Sequence, residues 1–164
     1  MIKCEFESGK TTYNLRHVTM DALVEKDDKI LLMKRSSKLS LEPGKWALPG
    51  GYLDKDETTQ QGVLRELQEE TGLSGKVMDL FKIIDTPKRK GDKGRQNFTL
   101  VYLIKPFKKD GNFQKETQAI GWFGFGEIQK MKQKIAFDHY PLIIKPFMNF
   151  KKTRVKRIFK INQG

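Results

Sequence analysis

Runs of β-branched and apolar residues, separated by turn-forming residues, occupy the first third of the chain. Residues 17–25 and 29–34 are two such runs, and Lys26-Asp27-Asp28 between them predicts a β-hairpin. Residues 36–45 contain a Pro-Gly pair and predict a loop. Residues 46–51 end in two glycines and predict a short extended piece that turns there.

The next segment has the clearest helical pattern in the chain. Thr58, with Gln61 three residues later, forms a capping box, which predicts a helix over residues 58–71. Gly72 stands where a left-handed C-cap residue is favoured. Both ends of this helix are therefore predicted from local residues alone.

The second half of the chain predicts more strands and a second helix. The helix is predicted to begin at residues 138–141 and to run to about residue 151 on spaced apolar positions. Strands interspersed with two helices predict an α/β (α+β) fold in which helices pack on a mixed sheet. The remaining elements are strands at residues 77–85, 98–104 and 120–123, a basic loop at 86–95 and a helical turn at 127–131.

The composition fits one globular domain over residues 1–164, with a basic tail from about residue 152. Apolar residues make up 37% of the chain and aromatic residues 10%, which excludes collagen-like, coiled-coil and disordered classes. The single cysteine, Cys4, excludes a disulfide framework and a Cys-rich zinc site. No run approaches the ~18 apolar residues of a membrane span, and the start is too polar for a secretory signal. We expect no membrane partner and a cytoplasmic location.

The charge is distributed unevenly along the chain. The formal net charge is +12, and residues 105–164 carry 14 basic and 4 acidic side chains. Residues 51–73 instead hold six acidic and two basic side chains. An acidic segment in a basic protein indicates a cation site within a field that attracts anions, although surface lysines also serve solubility.

The predicted helix carries carboxylates where local rules disfavour them. Glu66, Glu69 and Glu70 fall within roughly a 100° arc of one face, where like charges repel. The last two precede Gly72 at the helix end, where the dipole favours cations. Gly62 on the same face costs about 1 kcal/mol relative to alanine. Joint violations of this kind are expected at functional sites, and the carboxylates offer the hard oxygen ligands that Mg²⁺ prefers. A solvated acidic stripe is the alternative.

These glutamates belong to a longer pattern of fixed spacing. The chain has Gly51, five residues, Glu57, seven residues and then Arg65-Glu66-Leu67-Gln68-Glu69-Glu70-Thr71-Gly72-Leu73. This resembles the Nudix box, G-x5-E-x7-R-E-U-x-E-E-x-G-U with U apolar, at every defined position. Segments before the box, together with Glu116 and Trp122-Phe123 after it, extend the resemblance over roughly residues 17–150. The resemblance implies an α/β/α sandwich with a mixed central sheet.

Nudix proteins are mostly hydrolases of a nucleoside diphosphate linked to another group, and they use Mg²⁺ or Mn²⁺. The resemblance implies that Arg65 holds the glutamates by pairing and that Glu57 supports them from the loop. One of the glutamates is open as general base toward a metal-activated water that attacks phosphorus. The implied metal ligands are the Gly50 carbonyl, Glu66, Glu69 and Glu70.

Two further features resemble the ADP-ribose pyrophosphatase branch of the family. They are Thr86-Pro87 after the box and the late motif Phe137-Asp138-His139. ADP-ribose or another nucleoside diphosphate sugar is therefore the expected small-molecule substrate. His139 is equally compatible with a place in the first turn of a helix.

Candidate substrate contacts come from aromatic and arginine side chains. Trp46, Phe98 and Phe123 are candidates for stacking on the base, and packing in the core is the alternative for each. The phosphate-binding candidates are Arg35, Arg89 and Arg95, with a solvated loop position as the alternative for Arg89. Glu116 is a further candidate contact.

Other functions stay open at this level. A nucleoside triphosphate, a dinucleoside polyphosphate or an RNA 5′ end would suit the same chemistry, and the basic region would then track a nucleic-acid strand. A non-catalytic module that senses a nucleotide is an alternative of another class, which the complete glutamate set disfavours. The sequence also leaves the oligomeric state open, a homodimer included.

Overall fold

The computed structural model describes residues 2–5, 12–92, 94–109, 111–113 and 115–161. Within these residues the chain forms nine strands and three α-helices. The strands are β1 (Ile2–Glu5), β2 (Thr12–Leu15), β3 (Val18–Lys26), β4 (Lys29–Arg35), β5 (Trp46–Ala47), β6 (Gly50–Tyr52), β7 (Leu73–Ile84), β8 (Phe98–Lys109) and β9 (Thr117–Gly124). The helices are α1 (Thr59–Thr71), α2 (Phe125–Lys130) and α3 (Lys145–Ile161), with a π-helical turn at Tyr140–Ile144 leading into α3.

Seven strands form a mixed sheet, and β1 pairs with β2 separately. β3 and β8 run parallel from Val18 opposite Phe98 to Val24 opposite Ile104, whereas β7 is antiparallel to β8. β3 and β4 pair only beside their hairpin turn. Beyond it, β6 pairs with β3 and both β5 and β9 pair with β4. The two parts of the sheet therefore separate where β5 leads into β6.

Apolar side chains cover both faces of the sheet. Met20, Ala22 and Val24 of β3 pack in one cluster with Val63 and Leu67 of α1. Because side chains alternate between faces along a strand, Leu23 belongs to the opposite cluster, which contains Phe147 of α3. A run buried on both faces is typical of a central strand covered by helices. The predicted α/β/α sandwich is confirmed.

The local predictions differ from the structure mainly at element ends. The capping box at Thr58 and the left-handed C-cap at Gly72 are both present. β7 begins at Leu73 rather than residue 77, and β8 continues to Lys109 rather than residue 104. The β1–β2 pair was not predicted.

The basic tail expected from about residue 152 begins inside a helix. α3 extends to Ile161 instead of ending near residue 151, and residues 162–164 lie outside the described part of the chain. In the part of the chain that the structure describes, none of the helices has both the length and the apolar content to cross a bilayer.

Candidate active site

A cavity of about 390 Å³ opens where the two parts of the sheet separate. One side of it carries Glu66 and Glu70 of α1 together with Gly50 and Gly51 of β6. The rest of its polar lining, called the polar wall here, carries arginines and hydroxyl, amide and carboxyl groups, contributed by Thr19, Asp21, Arg35, Arg89, Arg95, Asn97, Thr99 and Asp138. The cavity thus joins an acidic wall to a wall that contains three cations.

Glycines allow β6 and α1 to approach each other closely. A Cβ atom on Gly51 would overlap the Glu66 carboxylate, and one on Gly50 would overlap the backbone of β3 at Met20. Gly62 lies against the Met20 side chain and the Glu57 carboxylate, where a Cβ would be 2.5 Å and 2.8 Å from their nearest atoms. Gly62 is therefore accommodated inside α1 because the Met20 and Glu57 side chains occupy the space that a Cβ atom would need.

Glu70 and Glu66 are carboxylates withdrawn from water. Glu70 is 8% exposed and its Oε2 accepts a hydrogen bond of 2.8 Å from the Gly50 N–H. Burial raises the pKa of Glu70 to about 8, and the Gly50 hydrogen bond offsets this only in part. Burial also raises the pKa of Glu66, against the opposing effect of its hydrogen bond from Arg65. Both carboxylates lack enough positive charge nearby to balance their burial.

Arg65 connects the glutamate side of the cavity to the loop before α1. Its Nη2 and Nε donate to the two oxygens of Glu57 at 2.8 Å and 3.1 Å, and Nη2 also donates to the Tyr52 carbonyl at 3.1 Å. Nη1 donates to Glu66 Oε1 at 3.0 Å. Arg65 thus fixes both Glu66 and the loop.

Glu69 differs from its two neighbours. Its side chain is 38% exposed, its Oε2 lies 3.4 Å from Arg65 Nη1, and it does not line the cavity. The three carboxylates therefore share one arc of the helix without converging. Among the described residues, no three carboxylate, imidazole or thiol groups lie close enough together to hold a metal ion.

Arg89 is buried, which corrects the alternative of a solvated loop charge. Its side chain is 7% exposed, and Nη1 donates to Asp138 Oδ2 at 3.1 Å. Nη2 donates to Thr99 Oγ1 at 3.0 Å. The loop can pack this closely because Gly91 lies against Asp138, where a Cβ would be 2.5 Å from the Asp138 nitrogen.

His139 joins the late segment to the centre of the sheet. Its Nδ1 accepts a hydrogen bond of 3.1 Å from the Leu48 N–H, and its Nε2 lies 3.7 Å from Asp21 Oδ1. Burial lowers the pKa of His139 to about 3 and raises that of Asp21 to about 7. The imidazole is therefore neutral near pH 7.

Phe137 lines the cavity and contacts two of its arginines. The guanidinium carbons of Arg35 and Arg95 are each 4.9 Å from the centre of its ring. The residue has a left-handed backbone with φ of 53°, which is strained for a bulky side chain. The late motif thus contributes a ring that contacts two cavity arginines.

Of the other residues that the sequence suggested for substrate recognition, one lines the cavity and the rest do not. The structure does not bring Trp46, Phe98, Phe123 or Thr86-Pro87 to the cavity. The Trp46 ring instead packs edge-on against Phe123, with centroids 4.7 Å apart. Glu116 does line the cavity. Burial lowers the pKa of Arg35 and raises that of Glu70, and the nearby charge of Glu116 opposes the first shift and adds to the second.

Several cavity residues were not singled out by the sequence. Asp21, Asn97 and Thr99 lie in or next to strands β3 and β8 and look locally like ordinary strand residues. A buried polar position within an apolar run, as at Asp21, is the one signal that indicates such a site.

Residues 15–145 match the model of the NUDIX domain family. The chain therefore belongs to the Nudix family of pyrophosphohydrolases, as the box at residues 51–73 predicted. The fold and the family prediction are both confirmed.

Individual relatives and solved structures show which Nudix proteins the chain resembles. The chain is 36% identical over 137 residues to an ADP-ribose pyrophosphatase of Methanocaldococcus jannaschii, covering 82% of this chain and 74% of that protein. A bifunctional NMN adenylyltransferase/ADP ribose pyrophosphatase from Francisella tularensis, solved with AMP and a manganese ion, matches with a TM-score of 0.68 and 30% identity. That match covers 85% of this chain and 43% of the other.

The NUDIX domain of Shewanella oneidensis NrtR, solved with ADP ribose, has a TM-score of 0.64 at 23% identity. The match covers 84% of this chain and 90% of that chain, and at this identity it shows the fold alone.

Proposed function

We propose that this protein hydrolyses the diphosphate linkage of ADP-ribose or a closely related nucleoside diphosphate sugar, with Mg²⁺ or Mn²⁺ as cofactor. The observation that carries the proposal is a single cavity that places the buried carboxylate of Glu70 and the half-buried carboxylate of Glu66 alongside the guanidinium groups of Arg35 and Arg95. Carboxylates suit a hard divalent cation, and guanidinium groups suit phosphate oxygens. The 36% identity to an ADP-ribose pyrophosphatase supports the choice of substrate.

The donor set fits a divalent cation. Glu66 and Glu70 are held at fixed positions by Arg65 and by the Gly50 N–H, and both are desolvated carboxylates. We assign the metal to these two side chains and the Gly50 carbonyl, with Glu69 as a further carboxylate at the rim. When bound, the cation neutralises diphosphate charge and lowers the pKa of a water.

The protein's own groups do the remaining work. Arg35 and Arg95 bind phosphate oxygens and orient the diphosphate. Arg65, held by Glu57, keeps Glu66 at its place beside Gly51. One of the glutamates accepts the proton of the attacking water, so no covalent intermediate is formed on the enzyme.

A substrate panel with Mg²⁺ tests the reaction. The purified protein is incubated with ADP-ribose, other nucleotide sugars, nucleoside triphosphates and dinucleoside polyphosphates, and the products are separated. We expect ADP-ribose to be cleaved most efficiently, to AMP and ribose 5-phosphate. Binding of ADP-ribose without cleavage would instead indicate a sensor, and preference for a triphosphate would overturn the substrate.

Paired variants test the carboxylates. Glu70→Gln is expected to lower turnover by two or more orders of magnitude with the fold intact, because it removes a ligand charge. Asp56→Asn is the control: Asp56 lies in the loop before α1 and has an exposed side chain and a left-handed backbone that asparagine accepts. Parental turnover by Glu70→Gln would overturn the metal assignment.

A further inference from the structure

The polar wall of the cavity contains two buried groups without a hydrogen-bond partner. Among the described residues, Arg89 Nε and Asn97 Oδ1 have none. Asn97 is 5% exposed, the Arg89 side chain is 7% exposed, and both line the cavity. Buried polar groups are nearly always paired, because leaving one unpaired destabilises the fold. Two unpaired groups in one wall therefore indicate a place prepared for a ligand.

The fold prevents these groups from finding partners elsewhere. The far end of the Arg89 guanidinium is held by Asp138 at 3.1 Å and by Thr99 at 3.0 Å, so Nε cannot turn away. The Asn97 N–H donates to Asp92 Oδ2 at 2.8 Å, which fixes the backbone that carries its side chain. The Arg89 Nη2 also approaches the Asn97 carbonyl at 3.4 Å, so the two residues are neighbours.

The two unpaired atoms are one donor, Arg89 Nε, and one acceptor, Asn97 Oδ1. A hydroxyl group satisfies both kinds, because it donates one hydrogen bond and accepts others. A phosphate or carboxylate would serve Arg89 Nε but would present only acceptors to Asn97 Oδ1. The charge of Arg89 is moreover already balanced by Asp138. An ionic ligand group is therefore disfavoured beside Arg89 and Asn97.

The surroundings also disfavour a nucleobase. Bases bind in flat slots with apolar or aromatic walls, whereas the groups that hold the Arg89 guanidinium are the carboxylate of Asp138 and the hydroxyl of Thr99. Thr19 and Thr99 join their hydroxyl oxygens at 2.9 Å. A sugar hydroxyl suits this place because its oxygen accepts from Arg89 Nε while its O–H donates to Asn97 Oδ1.

We infer that Arg89 and Asn97 form a subsite for the hydroxyl groups of a ribose in the substrate. The inference rests on the proposed function, since ADP-ribose carries two riboses, one in the nucleoside and one beyond the diphosphate. Asn97 and Arg89 then select substrates by their sugar, separately from the groups that bind the diphosphate and the metal.

Three substrates and two variants test the subsite. The substrates are ADP-ribose, the methyl ester of ADP, which lacks the distal ribose, and ADP-ribose with a 2′-deoxy nucleoside. Asn97→Ala removes the unpaired acceptor. Thr117→Val is the matched control, because Thr117 Oγ1 is also buried and unpaired but lies outside the cavity lining. Steady-state kinetics, melting temperature and calorimetric binding of ADP-ribose are measured for each protein.

We expect Asn97→Ala to reduce the selectivity for ADP-ribose over the methyl ester about tenfold, as for one lost hydroxyl contact. Thr117→Val should leave this ratio unchanged. Asn97→Ala could instead give equal kcat/KM values for ADP-ribose and its 2′-deoxy analogue, with the selectivity over the methyl ester unchanged. In that case the subsite binds the nucleoside ribose, and the inference stands. An equal loss on all three substrates, or no loss on any, overturns it.

Binding measurements distinguish a failure of this inference from a failure of the proposed hydrolysis. If the wild-type protein binds ADP-ribose without cleaving it, and Asn97→Ala weakens that binding about tenfold, hydrolysis fails and the subsite stands. If ADP-ribose is cleaved but selectivity is the same in Asn97→Ala and wild type, the subsite fails and hydrolysis stands. Should Asn97→Ala unfold, Asn97→Ser must show the same loss of selectivity in a folded protein, and unaltered selectivity there overturns the inference.

Discussion

Arg65 holds the Glu57 carboxylate through two hydrogen bonds, Nη2 to Oε1 at 2.8 Å and Nε to Oε2 at 3.1 Å. The same guanidinium donates to Glu66, so a residue in the loop and a residue facing the cavity share one cation. This arrangement uses all three nitrogens of the fork. The position of Glu66 therefore depends on Glu57, although Glu57 lies outside α1, in the loop before it.

Replacing Arg65 by lysine is expected to break this link while keeping the charge. A single ammonium cannot hold both Glu57 oxygens, Glu66 and the Tyr52 carbonyl, so we expect a loss of about 1–3 kcal/mol in stability and a marked fall in turnover. Urea denaturation and kcat measure the two effects. Glu57→Gln is the comparison, since it keeps the shape of the partner. Unchanged stability and turnover in Arg65→Lys would contradict the role of the fork.

Gly51 is expected to control where Glu66 lies. A methyl group at Gly51 would overlap the Glu66 carboxylate, which is the end of a flexible side chain and would move aside. Gly51→Ala should therefore lower kcat at least tenfold, as for a misplaced catalytic group, with little change in melting temperature. Metal-dependent turnover and thermal unfolding are the measurements.

Gly126→Ala is the control for Gly51→Ala, because a methyl group at Gly126 would meet no other atoms. Gly126 lies in α2, and nothing stands within 4 Å of the position that its Cβ would take. We expect this change to keep turnover and to add about 0.5–1 kcal/mol of stability, since alanine favours helix. Full activity of Gly51→Ala would show that the Glu66 position does not matter.

Phe137 is expected to position Arg35 and Arg95 through its ring. Phe137→Leu removes the π face that both guanidinium groups contact, and each such contact contributes about 0.5–2 kcal/mol. We expect the KM for ADP-ribose to rise about tenfold, with a smaller change in kcat. Phe137→Tyr keeps the π face and should retain most of the parental KM. Equal KM values for the leucine and tyrosine variants would exclude this role for the ring.

His139 is expected to make the protein sensitive to acid. The unfolded chain takes up a proton near pH 6.5, whereas burial lowers the pKa of folded His139 to about 3. Between these values the unfolded state binds more protons, so the free energy of unfolding falls as the pH is lowered, by up to about 1.4 kcal/mol per pH unit. His139→Gln cannot titrate, so its stability relative to wild type should rise as the pH falls from 7 to 4.

Asp21 changes the stability in the opposite direction with pH, so its variant provides a comparison for His139→Gln. Burial raises the pKa of Asp21 from 3.8 to about 7, so its contribution to stability is present at low pH and is lost as the pH rises between these two values. Asp21→Asn should therefore show its stability gain over wild type at high pH. Urea denaturation across pH 4–8 measures both variants. A pH-independent difference between wild type and His139→Gln would refute the buried neutral imidazole.

Residues close together in sequence carried enough information for α1 and for the β3–β4 hairpin. Caps and turns depend on side chains and backbone groups within a few positions of one another. The box places Glu57 and Arg65 eight residues apart, so their contact needs only the helix and the loop before it. The fold class followed from the order of these elements.

The tertiary structure decided which side chains reach the cavity. Glu66, Glu69 and Glu70 share a helix face, but only the packing of β6 against α1 places the first and last in the cavity and leaves Glu69 at the rim. Arg89 is buried by Asp138, 49 residues away, and His139 accepts from Leu48, 91 residues away. Trp46 packs in the core because β5 and β9 flank β4. Local patterns determine what each segment forms, whereas contacts between distant segments depend on how the whole sheet closes, since no short-range propensity encodes them.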